Sequence, residues 1–177
     1  LLQGVSGRGF WGNRELHERL IALVRAGYLL PGPTVTNSIG LELILIPPGC
    51  FVMGSPPSED DHHVGVKQRI VSVPRGLLVG RYPVTQRQYQ VVSNSNPSWF
   101  NSKQYGYDPS QFPVENVNWF DCLTFCNLLS LKENLEPYYE VSIVNHKIRV
   151  GIKVGYVSIP DPFGMGYRLP SEIEWEY

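Results

Sequence analysis

No basic block occurs anywhere in these 177 residues, and the formal net charge is −1. That excludes a general nucleic-acid binder, which needs clustered Lys and Arg to neutralise phosphates. No apolar run approaches the roughly 20 residues of a membrane span. No secretory signal is visible either, but the chain begins with Leu rather than Met, so its true N-terminus is expected upstream and the missing signal excludes nothing. Cysteine is scarce: Cys50, Cys122 and Cys126 are an odd set, with no CxxC and no His at zinc-finger spacing. Cys122 and Cys126 lie four apart in a helical pattern and so share a side. They read as small buried thiols rather than a metal or redox pair, since a disulfide along one helix would strain the bond. Internal repeats and low-complexity tracts are absent as well.

What is abundant is turn chemistry. Fifteen Pro and seventeen Gly imply many turns, hence short strands and loops rather than a helix bundle. Hydrophobic residues at 42% and charged residues at 18% are ordinary for a globular chain, and the length suffices for one domain with a sizeable core.

Taken in order, residues 1–12 are Gly-rich and irregular. From Arg14 to Leu30, apolar Leu16, Leu20, Leu23 and Val24 fall at helical spacing, with Asn13 as N-cap and Gly27 and Pro31-Gly32-Pro33 as terminators. This helix is either the end of a preceding domain or a packing helix on the next one. Residues 41–46 read as a strand, with residues 50–53 as its hairpin partner across Pro47-Pro48-Gly49. The polar stretch 54–65 holds Glu59, Asp60, Asp61, His62 and His63, which read as a solvated loop because they lack fixed ligand spacing. Residues 70–73 and 77–79 are two further strands. Thr85 caps a helix running through Gln88, Tyr89 and Val92, and Asn96-Pro97 breaks out of it. Residues 101–113 are a polar, Tyr-rich loop. Asn118, with Asp121 in the first turn, caps the strongest helix, Trp119 to Lys132. Its mixed, largely buried face runs through Phe120, Leu123, Cys126 (or Phe125), Asn127 and Leu128. Residues 138–144 and 148–159 form a hairpin around Asn145-His146.

The chain closes on Gly166-Tyr167-Arg168-Leu169-Pro170-Ser171-Glu172-Ile173-Glu174-Trp175-Glu176-Tyr177. Ser171 is an N-cap, and Glu174 three residues later completes a capping box. Glu172, Glu174 and Glu176 add negative charge where the helix dipole favours it. A full start signal without a helix body leads to the expectation that the domain continues past Tyr177. The whole pattern is α+β, with no βαβ alternation.

Six stretches, in this order, resemble the formylglycine-generating-enzyme (sulfatase-modifying-factor) family. They are Asn37-Ser38-Ile39-Gly40-Leu41-Glu42 with Ile46-Pro47-Pro48-Gly49-x-Phe51-x-Met53-Gly54-Ser55, then Tyr82-Pro83-Val84-Thr85-x-x-x-Tyr89, and Asn96-Pro97-Ser98-x-Phe100. Pro113-Val114-Glu115-x-Val117-x-Trp119-x-Asp121 and Phe125-Cys126-Asn127-x-Leu129-Ser130 follow, and the closing motif is the sixth. The resemblance implies a C-type-lectin-like fold with short strands, two main helices and long irregular loops, truncated at its C-terminus. It divides the chain into an N-terminal helix and linker at 1–36 and an incomplete family domain at 37–177. Each motif also has a structural role. Gly54 gives a tight turn after a strand, Thr85 is a cap, and Trp119, Phe125 and Trp175 are core fillers. Arg168 pairs with Glu172 or Glu174, because a charge near a core must be paired.

Enzymes of this family resemble one another in a cysteine pair that binds copper(I), an ion suited to soft thiolates. That pair and the family's calcium ligands lie beyond the closing motif, and Cys50, Cys122 and Cys126 do not align with it. No catalytic, cofactor-binding or metal-ligating residue is therefore carried over. Copper and calcium are expected only with a catalytic C-terminal part, and the chain alone is expected to be inactive. Three readings of the whole protein stand open: an oxidase that converts a sulfatase cysteine to formylglycine, a non-catalytic lectin-fold scaffold for a protein or peptide ligand, and an iron-dependent sulfoxide synthase. The last needs a His-rich motif, and residues 1–36 hold only His17. Bare apolar faces at the chain end lead to a further expectation, of poor solubility or association with a chain that completes the fold.

Overall fold

A computed structural model describes residues 2–4, 34–55, 68–101, 106, 108–144 and 154–177. The expected helix at 14–30, the acidic–His cluster at 59–63 and the turn at Asn145-His146 lie outside the described residues.

The strands are β1 (Leu2–Gly4), β2 (Thr34–Thr36), β3 (Glu42–Ile46), β4 (Gly49–Met53), β5 (Arg69–Val73), β6 (Leu77–Gly80), β7 (Glu140–Val144), β8 (Val154–Ser158) and β9 (Tyr167–Arg168). The helices are α1 (Gln86–Ser93), α2 (Trp119–Lys132) and α3 (Glu172–Glu176). A five-stranded antiparallel sheet has the order β2-β3-β6-β1-β9, and β4–β5 and β7–β8 are separate two-stranded ribbons. The sheet thus recruits residues 2–4 and 34–36 alongside the family motifs. The fold is α+β.

One expected pairing is overturned. β3 does not pair with β4; it pairs with β2 and β6, with Ile46 opposite Leu77. β4 pairs instead with β5, Gly49 opposite Val73 and Met53 opposite Arg69. The physical reason lies at Pro47-Pro48, which carry no N–H and so cannot continue a ladder. The chain leaves the sheet there and starts a new ribbon.

β3 shows why its residues form a half-buried strand: Leu43 and Leu45 are buried, while Glu42, Ile44 and Ile46 alternate toward the outside. All three described α-helices start as their sequences predict, with reciprocal capping boxes at Thr85/Gln88, Asn118/Asp121 and Ser171/Glu174. Asn94 ends α1 in the left-handed conformation, a region Asn enters more readily than most residues. β7 and β8 pair antiparallel as expected, but Val144 stands opposite Val154, so their connection is longer than the two-residue turn expected at Asn145-His146.

The large core gathers Leu41, Leu43, Tyr89, Leu123, Phe125, Cys126, Leu129 and Tyr167 between α1, α2 and the sheet. Phe125 stacks on Tyr89 with ring centroids 5.2 Å apart. A smaller cluster forms around Val73 and Leu77, with Phe51, Ile173 and Tyr177 against it. Three expected packing positions are corrected. Leu128 points to solvent, because the buried stripe of α2 runs through Leu123, Phe125, Cys126, Leu129 and Ser130. Trp119 is 54% exposed: it is the first residue of α2, a full turn before Leu123. Trp175 is 81% exposed, since Ile173 and Tyr177 are the residues of that turn that face the ribbon, and Trp175 lies halfway between them.

Candidate functional site

The closing motif is where the other motifs meet. Arg168 donates to Glu174 through both ends of its guanidinium, at 2.6 and 2.5 Å, with both side chains 13% exposed. Of the two open partners, Glu174 is therefore the one. A further bond from Arg168 reaches the Leu169 carbonyl, and the Tyr138 ring lies under the guanidinium at 5.4 Å. Burial would push the Glu174 carboxyl up, but the hydrogen bonds from Arg168 and from the Ser171 N–H outweigh it and hold the group at about 2. Burial would likewise lower Arg168, and the bonds to Glu174 reverse that, leaving it raised.

Tyr167 anchors the opposite end of the large core. Its hydroxyl donates to Glu133 at 2.6 Å and accepts from the Asn37 side chain at 3.1 Å. Glu133 also accepts from the N–H and hydroxyl of Ser38, so the Asn37-Ser38 turn is tied to the end of α2. Burial, then the bond to Glu133, pushes the Tyr167 phenol up. Ser130 accepts from the Tyr167 N–H at 2.8 Å. Asn127 brackets Tyr139 by bonding both its N–H and its carbonyl, and the Tyr139 hydroxyl accepts from the Leu169 N–H. Gly166 has no room for a side chain, because a Cβ there would collide with the Glu136 carbonyl.

The remaining signature residues are also spent on the fold. Glu176 accepts from the Gly54 N–H at 2.6 Å, and Gly54 takes the positive φ its turn requires. Tyr177 donates to the Pro47 carbonyl and packs on Phe51. Asn96 bonds to Gln86, and Ser98 accepts from the Glu115 N–H, locking two loops together around residues that are 1% exposed.

The thiols are set apart. Cys50 is exposed on β4, Cys122 is half-buried on α2, and Cys126 is enclosed in the large core. Burial pushes the Cys126 thiol up to about 12 and raises Cys122 as well, with Asp121 adding to the latter. A neutral thiol is a poor nucleophile and a poor metal ligand. Among the described residues, no group of three or more His, Cys, Asp or Glu side chains is placed to hold a metal ion. No described helix is long and apolar enough to cross a membrane.

One cleft stands beside the closing motif, and sequence reasoning missed it. It measures about 180 Å³ and lies between the turns Pro74-Arg75-Gly76 and Pro162-Phe163-Gly164, with the Arg168–Glu174 pair at one wall. The Arg75 guanidinium stacks on the Phe163 ring at 4.2 Å. The overlooked signal is the pair of Pro-x-Gly turns, each with a large residue at its middle position. A second, apolar pocket of about 140 Å³ lies between Tyr89, Val117, Cys122 and Phe125.

Short strands, few described helices and a likeness to solved structures make the fold lectin-like. The family follows from comparison: the chain belongs to the sulfatase-modifying factor enzyme 1-like domain family, whose model matches residues 32–177. It is 32% identical over 169 residues to "Chaperone protein LppX" of Paenibacillus barcinonensis, covering 89% of this chain and 51% of that protein. Among solved structures, it resembles Treponema denticola variable protein 1 with a TM-score of 0.58 at 32% identity, covering 81% of this chain and 54% of that one. It also resembles the crystal structure of CarF, with a TM-score of 0.55 at 25% identity, covering 77% and 55%. The chain thus spans about half the length of the relatives it matches.

Proposed function

We propose that the chain belongs to a non-catalytic scaffold of the sulfatase-modifying-factor family, one that binds a protein ligand. The observation that carries this reading is how the signature residues are used. Asn37, Ser98, Glu115, Asn127, Ser130, Arg168 and Glu174 each bond to other parts of the fold. Buried groups satisfied in this way stiffen a framework; they are not poised for proton transfer. That framework carries large exposed rings, including Trp99 on a loop tied by the Phe100–Glu115 hydrogen bond and Trp119 at the capped start of α2. Rigid aromatic side chains of this kind are the usual anchors of protein interfaces. The likeness to a protein named as a chaperone supports the same reading.

The competing reading, an oxidase acting on a sulfatase cysteine, draws its support from the family description itself. The described thiols do not fit a copper(I) site, since Cys126 is enclosed as a neutral thiol and Cys50 sits on a separate ribbon.

The deciding experiment uses the full-length protein in two assays. Incubated with a CxPxR peptide and copper, it is expected to form no aldehyde. Mixed with reduced insulin, it is expected to suppress light scattering from the aggregating B chain. Clear aldehyde formation, or scattering that the protein leaves unchanged, overturns the proposal.

A further inference from the structure

We infer that the cleft between the Pro74–Gly76 and Pro162–Gly164 turns is an anchor pocket for a partner protein segment in which a branched aliphatic side chain stands next to a carboxylate. This deepens the scaffold reading and rests on it. Size is the first argument. At about 180 Å³, the cleft holds one side chain and is smaller than the roughly 300–1,000 Å³ of small-molecule and cofactor sites.

The floor sets the first half of the ligand's chemistry. Val73 and Leu77 line the cleft and are each 4% exposed, so this part of its lining offers an apolar occupant packing contacts and no polar partner. The polar wall makes no opposing demand, because Arg168 and Glu174 satisfy each other through two short bonds. Of the charged residues lining the cleft, Arg75 alone has no ion-pair partner among the described residues.

The mouth sets the second half. Arg75 lies there, exposed, and among the described residues no carboxylate forms a salt bridge with it. Its guanidinium carbon lies 4.2 Å over the Phe163 ring, and no described carboxylate takes its fork of N–H groups. That fork matches a carboxylate in bidentate geometry. A free anion would use Arg75 and leave the apolar floor wet, whereas an aliphatic side chain beside a carboxylate uses both.

The pocket is also pre-organised, which lowers the ordering cost of binding. Asp161 accepts from the Phe163 N–H at 2.8 Å, and its carbonyl accepts from the Gly164 N–H at 3.0 Å. The Tyr138 hydroxyl donates to the Pro162 carbonyl at 3.3 Å. The ring that Arg75 rests on is therefore presented by a fixed turn.

The test titrates the full-length protein with the capped peptide acetyl-Gly-Leu-Glu-Gly-amide and with its Leu-Gln counterpart. It follows the amide resonances of Phe163 and Gly164. Saturable shifts at millimolar peptide are expected, with the Leu-Gln peptide binding about tenfold more weakly, as loss of one charge-assisted bond pair implies. Arg75→Gln is expected to weaken the Leu-Glu peptide by the same factor and to erase the difference between the two peptides. Phe163→Ala, a change at a 60% exposed residue, is expected to weaken binding with the fold intact. Absence of saturable shifts, equal binding of both peptides, or an unchanged preference in Arg75→Gln overturns the pocket. The aldehyde assay on the same preparation separates the two levels: turnover with intact peptide binding overturns the scaffold reading alone.

Discussion

Around α2, Leu123, Phe125, Cys126 and Leu129 are closed in, and the polar groups among them, Ser130, Tyr138, Tyr139 and Tyr167, are all hydrogen-bonded. At the β4–β5 ribbon Met53 and Val73 are buried, with Leu77 of β6 beside Val73, but the cross-strand pair Val52 and Ile70 is 55% and 80% exposed. Both regions place aromatic rings against buried aliphatic side chains. What separates them is closure: the first buries polar groups and must satisfy each one, while the second leaves one face to solvent. Substitutions should therefore be costly and specific in the first region and tolerated on the outer face of the second.

The largest expected effect is at the residue that joins the two regions. Arg168 sits on the Tyr138 ring on one side and grips Glu174 of α3 on the other. Arg168→Ala leaves a buried carboxylate unpaired, and loss of one partner of a buried pair costs about 3–5 kcal/mol. Denaturant unfolding of the full-length protein measures it. The same pair predicts an acid limb. The folded-state carboxyl of Glu174 lies at about 2 against an ordinary 4.5, so its contribution is complete above about 4.5 and is lost as pH falls toward about 2. In Arg168→Ala that stretch of the pH–stability curve should flatten. A smaller cost is expected inside the large core. Tyr167→Phe removes the donor to Glu133 and the acceptor for Asn37, which should lower stability by about 2 kcal/mol. A loss confined to a few tenths would mean that water replaces the hydroxyl and that the core is less closed than its geometry implies.

The closed region was largely legible in the sequence, and the open one was not. Capping boxes are local chemistry, so Thr85, Asn118 and Ser171 could be placed from neighbours three residues away. The need of Arg168 for a glutamate followed from the cost of an unpaired charge, and only the choice between Glu172 and Glu174 required coordinates. Strand pairing is non-local. A hairpin between β3 and β4 satisfied every local rule but one, the loss of two donors at Pro47-Pro48, and that one decided the topology. Trp119 and Trp175 misled because size predicts burial only on average, whereas helix phase and position set which way a given ring points. The cleft needed two turns 88 residues apart in sequence, counted from Arg75 to Phe163, to come within stacking distance. Each Pro-x-Gly turn is visible locally, but nothing local says that the two turns meet.

Ser171→Ala tests the junction more gently. The hydroxyl accepts from the Glu174 N–H and donates to its carboxylate, while the Ser171 N–H bonds that carboxylate independently. Removing the cap should cost about 1 kcal/mol, well below Arg168→Ala, and the acid limb should persist because Arg168 still holds Glu174. A Ser171→Ala loss as large as that of Arg168→Ala would place the stability in the cap rather than in the ion pair.

The smallest expected effect is on the ribbon, and it bears most directly on the difference between the two regions. Ile70 projects from β5 beside Val52, on the face opposite Phe51 and Tyr177. At 80% exposure it loses little contact when changed. Ile70→Lys keeps the backbone pairing, places a long stem along Val52, and puts the charge in water. Surface changes away from buried features stay within about 0.5 kcal/mol, so unfolding midpoints of the full-length variant and parent should nearly coincide. A loss of about 2 kcal/mol or more, the range for removing a buried aliphatic side chain, would show that this face is covered in the whole protein. The ribbon would then belong to a closed interior like the one around α2, and the contrast between the two regions would vanish.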